Sequence, residues 1–325
     1  MIVGLDVGYS HTRGVSEKGR VKFASVIGTP DRARFSLNGA SEGIILASPR
    51  PVLVGDVAVI QSRQIERRED REWIESDAYH DLVLAAFTEV TTATHVDLVV
   101  VSGQPVRFYA RDRPILRDRL LGDHTAARDG RRRQTFSVSR TVIMTQGFGA
   151  LLSVCLDRRG NVTDPEIANG RIGLIDVGGK TTNLLSVSRL AEVGRETASV
   201  NTGAWDVVRA VERWLADHCP GLELRDHALI DAIRDRQVRY YGDTVDLRDA
   251  IDEAISPLAD QVIAQTTQLW NGGANLDAIL VAGGGAHLVG PYIGEHFRHA
   301  RVVAGDPVFA NAEGYYRFAH RIARG

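Results

Sequence analysis

Cysteine is nearly absent from these 325 residues, with only Cys155 and Cys219 present. Two thiols in separate apolar or helical surroundings exclude a disulfide framework and a cysteine metal site, and predict buried, reduced side chains. Long hydrophobic runs are missing too. The longest, such as "VDLVVVSG" at 96–103, are strand-length and fall well short of the roughly 20 residues that span a bilayer. The start, "MIVGLDVG", has no basic segment ahead of an apolar one. That predicts a strand and no signal peptide, hence a cytoplasmic protein without membrane contact. Neither sign of charge dominates, because 39 Lys and Arg stand against 41 Asp and Glu. Bulk electrostatics therefore exclude broad, direct nucleic-acid binding and leave only local patches, such as Arg131, Arg132 and Arg133 in a polar tip. None of the ten histidines pairs at metal-ligand spacing, so no zinc is expected.

What the sequence does have is an internal repeat. "GLDVGYSHT" (4–12) and "LIDVGGKTT" (174–182) share Asp-Val-Gly and a Thr four residues after that Gly, which makes Asp6 and Asp176 equivalent positions 170 residues apart. The second copy is not a P-loop. That motif needs a Gly five positions before its Gly-Lys pair and a helix after it; here the position holds Leu174, and Leu-Leu-Ser-Val reads as strand. Each copy instead reads as a β-hairpin whose tip carries N–H and hydroxyl donors.

Length predicts two domains or one duplicated domain, and strands alternate with helices throughout, which predicts an α/β fold with mixed sheets. In the first half the pattern gives a strand and turn at "PVLVGDVAV", a helix at "DAYHDLVLAAFTEVT" and the strand "VDLVVVSG". A charged helix near "RDRPILRDRLLG", a polar tip "DHTAARDGRRRQ", a strand pair in "TFSVSRTVIM" and a helix from Gln146 follow. The mixed-sign "RQIERREDREWIES" reads as a solvated loop, with Trp73 anchoring it or filling a neighbouring subunit's pocket. The second half gives a helix after a Thr202 cap, a Leu- and Asp-rich helical zone and a long helix at 247–270. The strand "LDAILVAGG", a helix after Gly283, Gly284 and Gly285, a short strand "ARVVAG" and a last helix from Asn311 complete it.

Two hairpin tips with outward amides are anion nests suited to a polyphosphate. Their carboxylates, Asp6 and Asp176, would repel phosphate and suit Mg²⁺ held through water, although a single turn Asp is commonly structural. The Gly283–Gly285 turn opens a helix, where close backbone approach suits a nucleoside or phosphate; alone it would read as a sharp turn. Lys180 is read either as a further phosphate contact or as a solvent-facing side chain.

The order of hairpin, Gln-containing helix, hairpin, triple-glycine turn and Asn-Ala-Glu-Gly helix resembles the actin, heat-shock chaperone and sugar kinase superfamily over nearly the whole chain. "VLVGDVA", "VVVSGQPVRFY" and "NAEGYYRFA" are similar to the bacterial plasmid-segregation actins of the ParM/StbA type. The resemblance implies an actin-like ATPase fold of two duplicated α/β domains flanking a nucleotide cleft. Domain I would cover 1–158 with the helix 306–325 packed back on it, and domain II would cover 159–305. It implies ATP or ADP with Mg²⁺ as ligands. Gly8, Tyr9, Ser10, Thr12 and Arg13 fall on the first phosphate motif, and Gly178, Gly179, Lys180 and Thr181 on the second. Gly203 falls over the base, and Gly283, Gly284 and Gly285 on the adenosine motif. Gln146, with Asp6 and Asp176, would be catalytic, orienting the attacking water as an amide does in switch GTPases; a purely structural helix cap is the lesser alternative for Gln146. Gly147, Gly149 and Gly314 would let two connecting helices cross closely. Arg13 stands where relatives carry a phosphate-contacting Lys, Lys180 where a small residue or Thr is commoner, and Asn183 where Asp or Glu is usual.

The implied function is a head-to-tail polymer that hydrolyses ATP and segregates plasmid DNA through a DNA-binding adaptor on a centromere-like site. Other members of the superfamily are small-molecule kinases or regulatory and chaperone ATPases. A kinase would want a carboxylate base at the Gln146 position, and a chaperone an appended peptide-binding domain.

Overall fold

The computed structural model describes residues 1–30, 44–66, 70 and 72–323. The chain divides into two compact units, Met1–Asn169 with Phe309–Gly325, and Gly170–Val308. Among the described residues no helix is long and apolar enough to cross a membrane.

The first unit is built on a ten-stranded sheet. In chain order its strands are β1 (Ile2–Val7), β2 (His11–Ser16), β3 (Gly19–Ala24), β4 (Ile27–Gly28) and β5 (Ile44–Ser48), then β6 (Val52–Val54), β7 (Ile65–Glu66), β8 (His95–Gln104), β9 (Gly122–Arg128) and β10 (Gln134–Thr145). Its first helices are α1 (Asp56–Gln61), α2 (Asp77–Val90), α3 (Tyr109–Leu120), α4 (Phe148–Cys155) and α5 (Pro165–Asn169). The sheet order is β3-β2-β1-β8-β10-β9-β5-β6-β4-β7. Its middle is parallel, β1 to β8 to β10, which explains why those strands read as apolar runs: parallel strands are covered on both faces. Helix α2 starts where Ser76 Oγ accepts from the Tyr79 amide at 3.1 Å, and it buries Tyr79, Leu82 and Phe87 against the sheet strands.

The second unit holds β11 (Arg171–Val177), β12 (Thr182–Ser188), β13 (Ala191–Glu192), β14 (Ala198–Val200), β15 (Gln237–Tyr240), β16 (Asp243–Asp246), β17 (Ala278–Ala282) and β18 (Ala300–Val302). Its helices are α6 (Ala204–His218), α7 (Asp226–Asp235), α8 (Arg248–Leu269) and α9 (Ala286–His296). The main sheet runs β13-β12-β11-β17-β18, with β14 also on β12. Strand β11 pairs antiparallel with β12 and parallel with β17, and β17 is parallel to β18. This repeats the order and directions of β3-β2-β1-β8-β10, so the sequence repeat is a repeat of topology. Ile175, Val177, Val211, Ile255 and Val281 are among the residues of this unit's own core.

The last helix, α10 (Ala310–Ala323), belongs to the first unit. Tyr315 and Ala319 pack on Val101, and Ala312 and Tyr316 on Val15. Where α10 meets α4, a Cβ at Gly314 would overlap the Gly149 carbonyl oxygen. Only glycine permits that approach, as the sequence implied.

Several local expectations need correction. The segment at 122–128 is a strand and not a polar tip. Its buried positions are His124 and Ala126, a polar ring and a small side chain, which give no period-two run of large apolar residues. The expected strand pair at 135–144 is one strand, β10, with an irregularity between Val138 and Arg140 that breaks the period. Within "PVLVGDVAV" the residues after Gly55 form α1 and not a turn. The helical zone before α8 also contains the hairpin β15–β16, turned at Tyr241 and Gly242 with φ of 47° and 92°, the conformation of a tight hairpin turn. Helix α4 begins at Phe148, two residues after Gln146. Trp73 is 5 % exposed, its ring centroid 5.5 Å from Tyr9 and 5.0 Å from Tyr79, so it anchors its own unit. Residues 67–69 and 71 of the mixed-sign stretch lie outside the described residues. Arg131, Arg132 and Arg133 are exposed in the β9–β10 turn. Both cysteines are buried and free, and burial pushes the Cys155 thiol up to about 11.

Candidate functional site

The two Asp-Val-Gly hairpins have the same internal geometry. The Gly8 amide donates to the His11 carbonyl at 3.1 Å, and the Gly178 amide to the Thr181 carbonyl at 2.9 Å. Each tip is also tied back through its carbonyls. In the first, Ser25 Oγ donates to Gly8 O at 2.6 Å and the Ser25 amide to Ser10 O at 2.9 Å. In the second, the Ala204 and Trp205 amides at the start of α6 donate to Gly178 O and Gly179 O at 3.0 and 2.9 Å. A trans peptide directs its N–H opposite to its C=O. Anchoring those carbonyls therefore aims the amides of Tyr9 and His11, and of Gly179 and Lys180, the other way, as an anion nest requires.

The tie explains Gly203 as well. A Cβ there would lie 2.6 Å from Gly178 O and overlap Gly179 O, so the bare backbone lets α6 reach the tip. The expected Thr202 cap is replaced by a reversed arrangement, in which Asp206 Oδ2 accepts from the Gly203 amide at 3.0 Å and from Thr202 Oγ1 at 2.9 Å. The two repeated threonines are internal. Thr12 Oγ1 lies 3.0 Å from Ser25 Oγ, and Thr182 Oγ1 donates to Thr202 O at 2.9 Å. Thr181 is buried, while Ser10 and Lys180 are half-buried at the tips. Ser10 Oγ is 2.8 Å from His11 Nδ1.

Asp6 is 4 % exposed. Arg13, directly across from it in the β1–β2 register, places Nη1 3.3 Å from Asp6 Oδ2 and 3.3 Å from His11 O. Gln146 Nε2 donates to Asp6 Oδ1 at 3.2 Å. Burial raises the Asp6 carboxyl above its usual range, and Arg13 and Gln146 work against that shift. The residue after β10 is thus brought onto the first hairpin.

Asp176 is 5 % exposed, and its neighbour across the hairpin is Asn183. Beside it lies the triple-glycine turn. Gly283 has φ +90°, and a Cβ there would overlap Val177 O and sit 2.6 Å from Asp176 Oδ1. The Gly285 amide donates to Val177 O at 2.9 Å, and α9 starts directly after it. A carboxylate against bare backbone offers oxygen donors without side-chain crowding, which fits a hard, hydrated divalent cation. No cluster of three or more His, Cys, Asp or Glu suited to holding a metal occurs among the described residues.

One residue of the site carried no sequence signal of its role. Asn311 Oδ1, on α10, accepts from the Gly147 and Ala150 amides at 3.0 and 3.2 Å. It caps α4, whose own cap position is the side-chain-less Gly147.

Two family models cover most of the chain. Residues 4–149 match the actin-like proteins N-terminal domain, and residues 174–295 the C-terminal domain of the archaeal actin homologue, MreB-like family. The chain belongs to the actin-like ATPase superfamily. The actin-like chain is 24 % identical to an archaeal actin homolog of Thermoplasma acidophilum over 99 % of each. Its fold is similar to the crystal structure of Ta0583, an archaeal actin homolog, with a TM-score of 0.83 and 23 % identity over 99 % of both chains; that homolog is also solved in complex with ADP. It is similar to a subunit of a 15-stranded ParM filament from Clostridium botulinum, with a TM-score of 0.79 and 22 % identity over 98 % of this chain and 99 % of that one. The superfamily and the actin-like α/β fold implied by the sequence are thus established.

Proposed function

We propose that this actin-like chain binds ATP and ADP with Mg²⁺, hydrolyses ATP and assembles head to tail into filaments. The observation that carries the reading is the matched pair of hairpins, each with an inward Asp, an anchored tip and outward amides, with Gln146 hydrogen-bonded to one of them. The ADP complex of the archaeal homolog and the ParM filament support it by analogy.

In this reading Gly8, Tyr9, Ser10 and Arg13, with Gly178, Gly179, Lys180 and Thr181, serve the phosphates, while Thr12, buried with its hydroxyl 3.0 Å from Ser25 Oγ, holds the first tip in shape instead of contacting them. Gly203 and Gly283 to Gly285 serve the nucleoside. Asp6 and Asp176 hold Mg²⁺ through water, and the metal would neutralise phosphate charge. Gln146 orients water, which an amide does without acting as a strong base. A like subunit adding to an unlike surface gives an open filament, and hydrolysis weakens it if the ATP and ADP forms differ in subunit affinity.

The cargo is plasmid DNA, joined through a DNA-binding adaptor in the cytoplasm. A second reading, an actin-like filament with no plasmid cargo, is favoured by the archaeal actin homolog matched end to end. Light scattering and negative-stain microscopy with Mg²⁺ and ATP, ADP or a non-hydrolysable analogue test the shared core of both. Nucleotide-dependent filaments that Asp176→Ala abolishes are expected. Protein that binds ATP yet stays monomeric at every concentration would rule out polymerisation and favour a kinase or regulatory ATPase.

A further inference from the structure

The repeat pairs Tyr9 with Gly179, since Gly8 and Gly178 stand at the same place after Asp-Val. One tip thus carries a large ring where the other carries no side chain. At the second tip that residue is held through its backbone, the Gly179 carbonyl accepting from the Trp205 amide at 2.9 Å. At the first, the Tyr9 ring lies against Trp73, with centroids 5.5 Å apart and planes inclined by 31°. Trp73 is 5 % exposed and meets the Tyr79 ring edge-on, at 5.0 Å and 84°. Its backbone is fixed as well. Ser76 Oγ donates to Trp73 O at 2.6 Å and accepts from the Tyr79 amide at the start of α2, and Arg119 Nη2 of α3 donates to Ser76 O at 2.6 Å. The three rings therefore run from the first tip to a frame made by α2 and α3.

We infer that Trp73 is a positioning residue for the phosphate site, acting through the Tyr9 ring to hold the first tip with its amides outward. The ground is the arrangement of anchors. Ser25 holds the carbonyls of Gly8 and Ser10, on either side of Tyr9. The ring holds the residue between them from another direction, because turning the tip would separate two apolar surfaces and wet both. An anion nest gains from that stiffness, since amides already directed at a ligand cost less to order when it binds. The aromatic contact at the first tip thus does what the Trp205 amide does at the second.

The inference rests on the proposed nucleotide binding, and a double-mutant cycle separates the two. Dissociation constants for a fluorescent ADP analogue with Mg²⁺ are measured for the wild type, Tyr9→Leu, Trp73→Leu and Tyr9→Leu/Trp73→Leu. Trp73→Phe is added as the variant that keeps a ring, and urea unfolding of each protein is followed without nucleotide. Tyr9→Leu breaks the same contact from its half-buried side, so the question stays answerable if Trp73→Leu fails to fold. Each single Leu variant is expected to weaken binding by about five- to tenfold, and the double variant by no more than either alone, since both changes remove one contact. Trp73→Phe is expected to recover most of the loss. Loss of a buried indole lowers stability whatever its role, whereas non-additive losses of nucleotide affinity arise only if Trp73 acts through Tyr9. Losses that multiply in the double variant, or unchanged affinity in folded Tyr9→Leu, overturn the positioning role alone. Wild-type protein that binds no nucleotide overturns the proposed function and takes this inference with it.

Discussion

Arg13 shows how one side chain sets the charge state of its surroundings. Burial favours a neutral Asp6, and the guanidinium opposes that. Removing only the cation, as in Arg13→Met, leaves a buried carboxylate uncompensated, a loss of about 3 kcal/mol or more. Urea unfolding should show that loss in Arg13→Met and recover most of it in Asp6→Asn/Arg13→Met. His80 gives a second residue-scale prediction. Its ring centroid lies 5.3 Å from that of His124, and burial, with His124 and Arg119 adding and Asp77 opposing, pushes its imidazole down to about 4. The unfolded chain takes up that proton near pH 6.5, so between pH 6.5 and 4 it binds more protons than the folded one. Stability should therefore fall as pH drops through that window and level off below it. His80→Gln should flatten the urea midpoint across the same range.

At the scale of elements, the join between α4 and α10 is the feature most exposed to a single change. Asn311→Ala removes the acceptor for two amides at the start of α4, and a lost cap costs about 1–2 kcal/mol. The urea midpoint should fall accordingly, and the Gln146 to Asp6 contact should loosen with it. The α4 to α10 crossing was legible in sequence because Gly149 and Gly314 declare a close approach. The hairpins were legible because Asp-Val-Gly recurs between strands. What stayed hidden has a physical cause in each case. The polar face of β9 obscured its period. The cap on α4 comes from residues more than 160 positions away, beyond any local pattern. The inward turn of Arg13 depends on cross-strand register, which a single strand does not encode. Asp206 could have been found, since an acid three residues after Gly203 is half of a capping box.

The whole molecule is one chain with an interrupted first unit. Residues 170–308 form a continuous unit with its own apolar core, whereas the first unit needs α10 on β1, β2 and β8. A fragment of residues 170–308 is expected to unfold cooperatively in a circular-dichroism melt. A fragment of residues 1–169 is expected to lack a cooperative transition, since the surfaces that meet Ala312, Tyr315 and Tyr316 are bare. The same interruption sets a timetable for biogenesis. A ribosome makes β1, β2 and β8 early and α10 only after the entire second unit has emerged, a delay of about 10–30 s at ordinary elongation rates. Throughout it the nascent first unit presents an apolar sheet face and an uncapped α4. The part translated first is thus the part completed last, and that interval is when a holding chaperone would have most to protect.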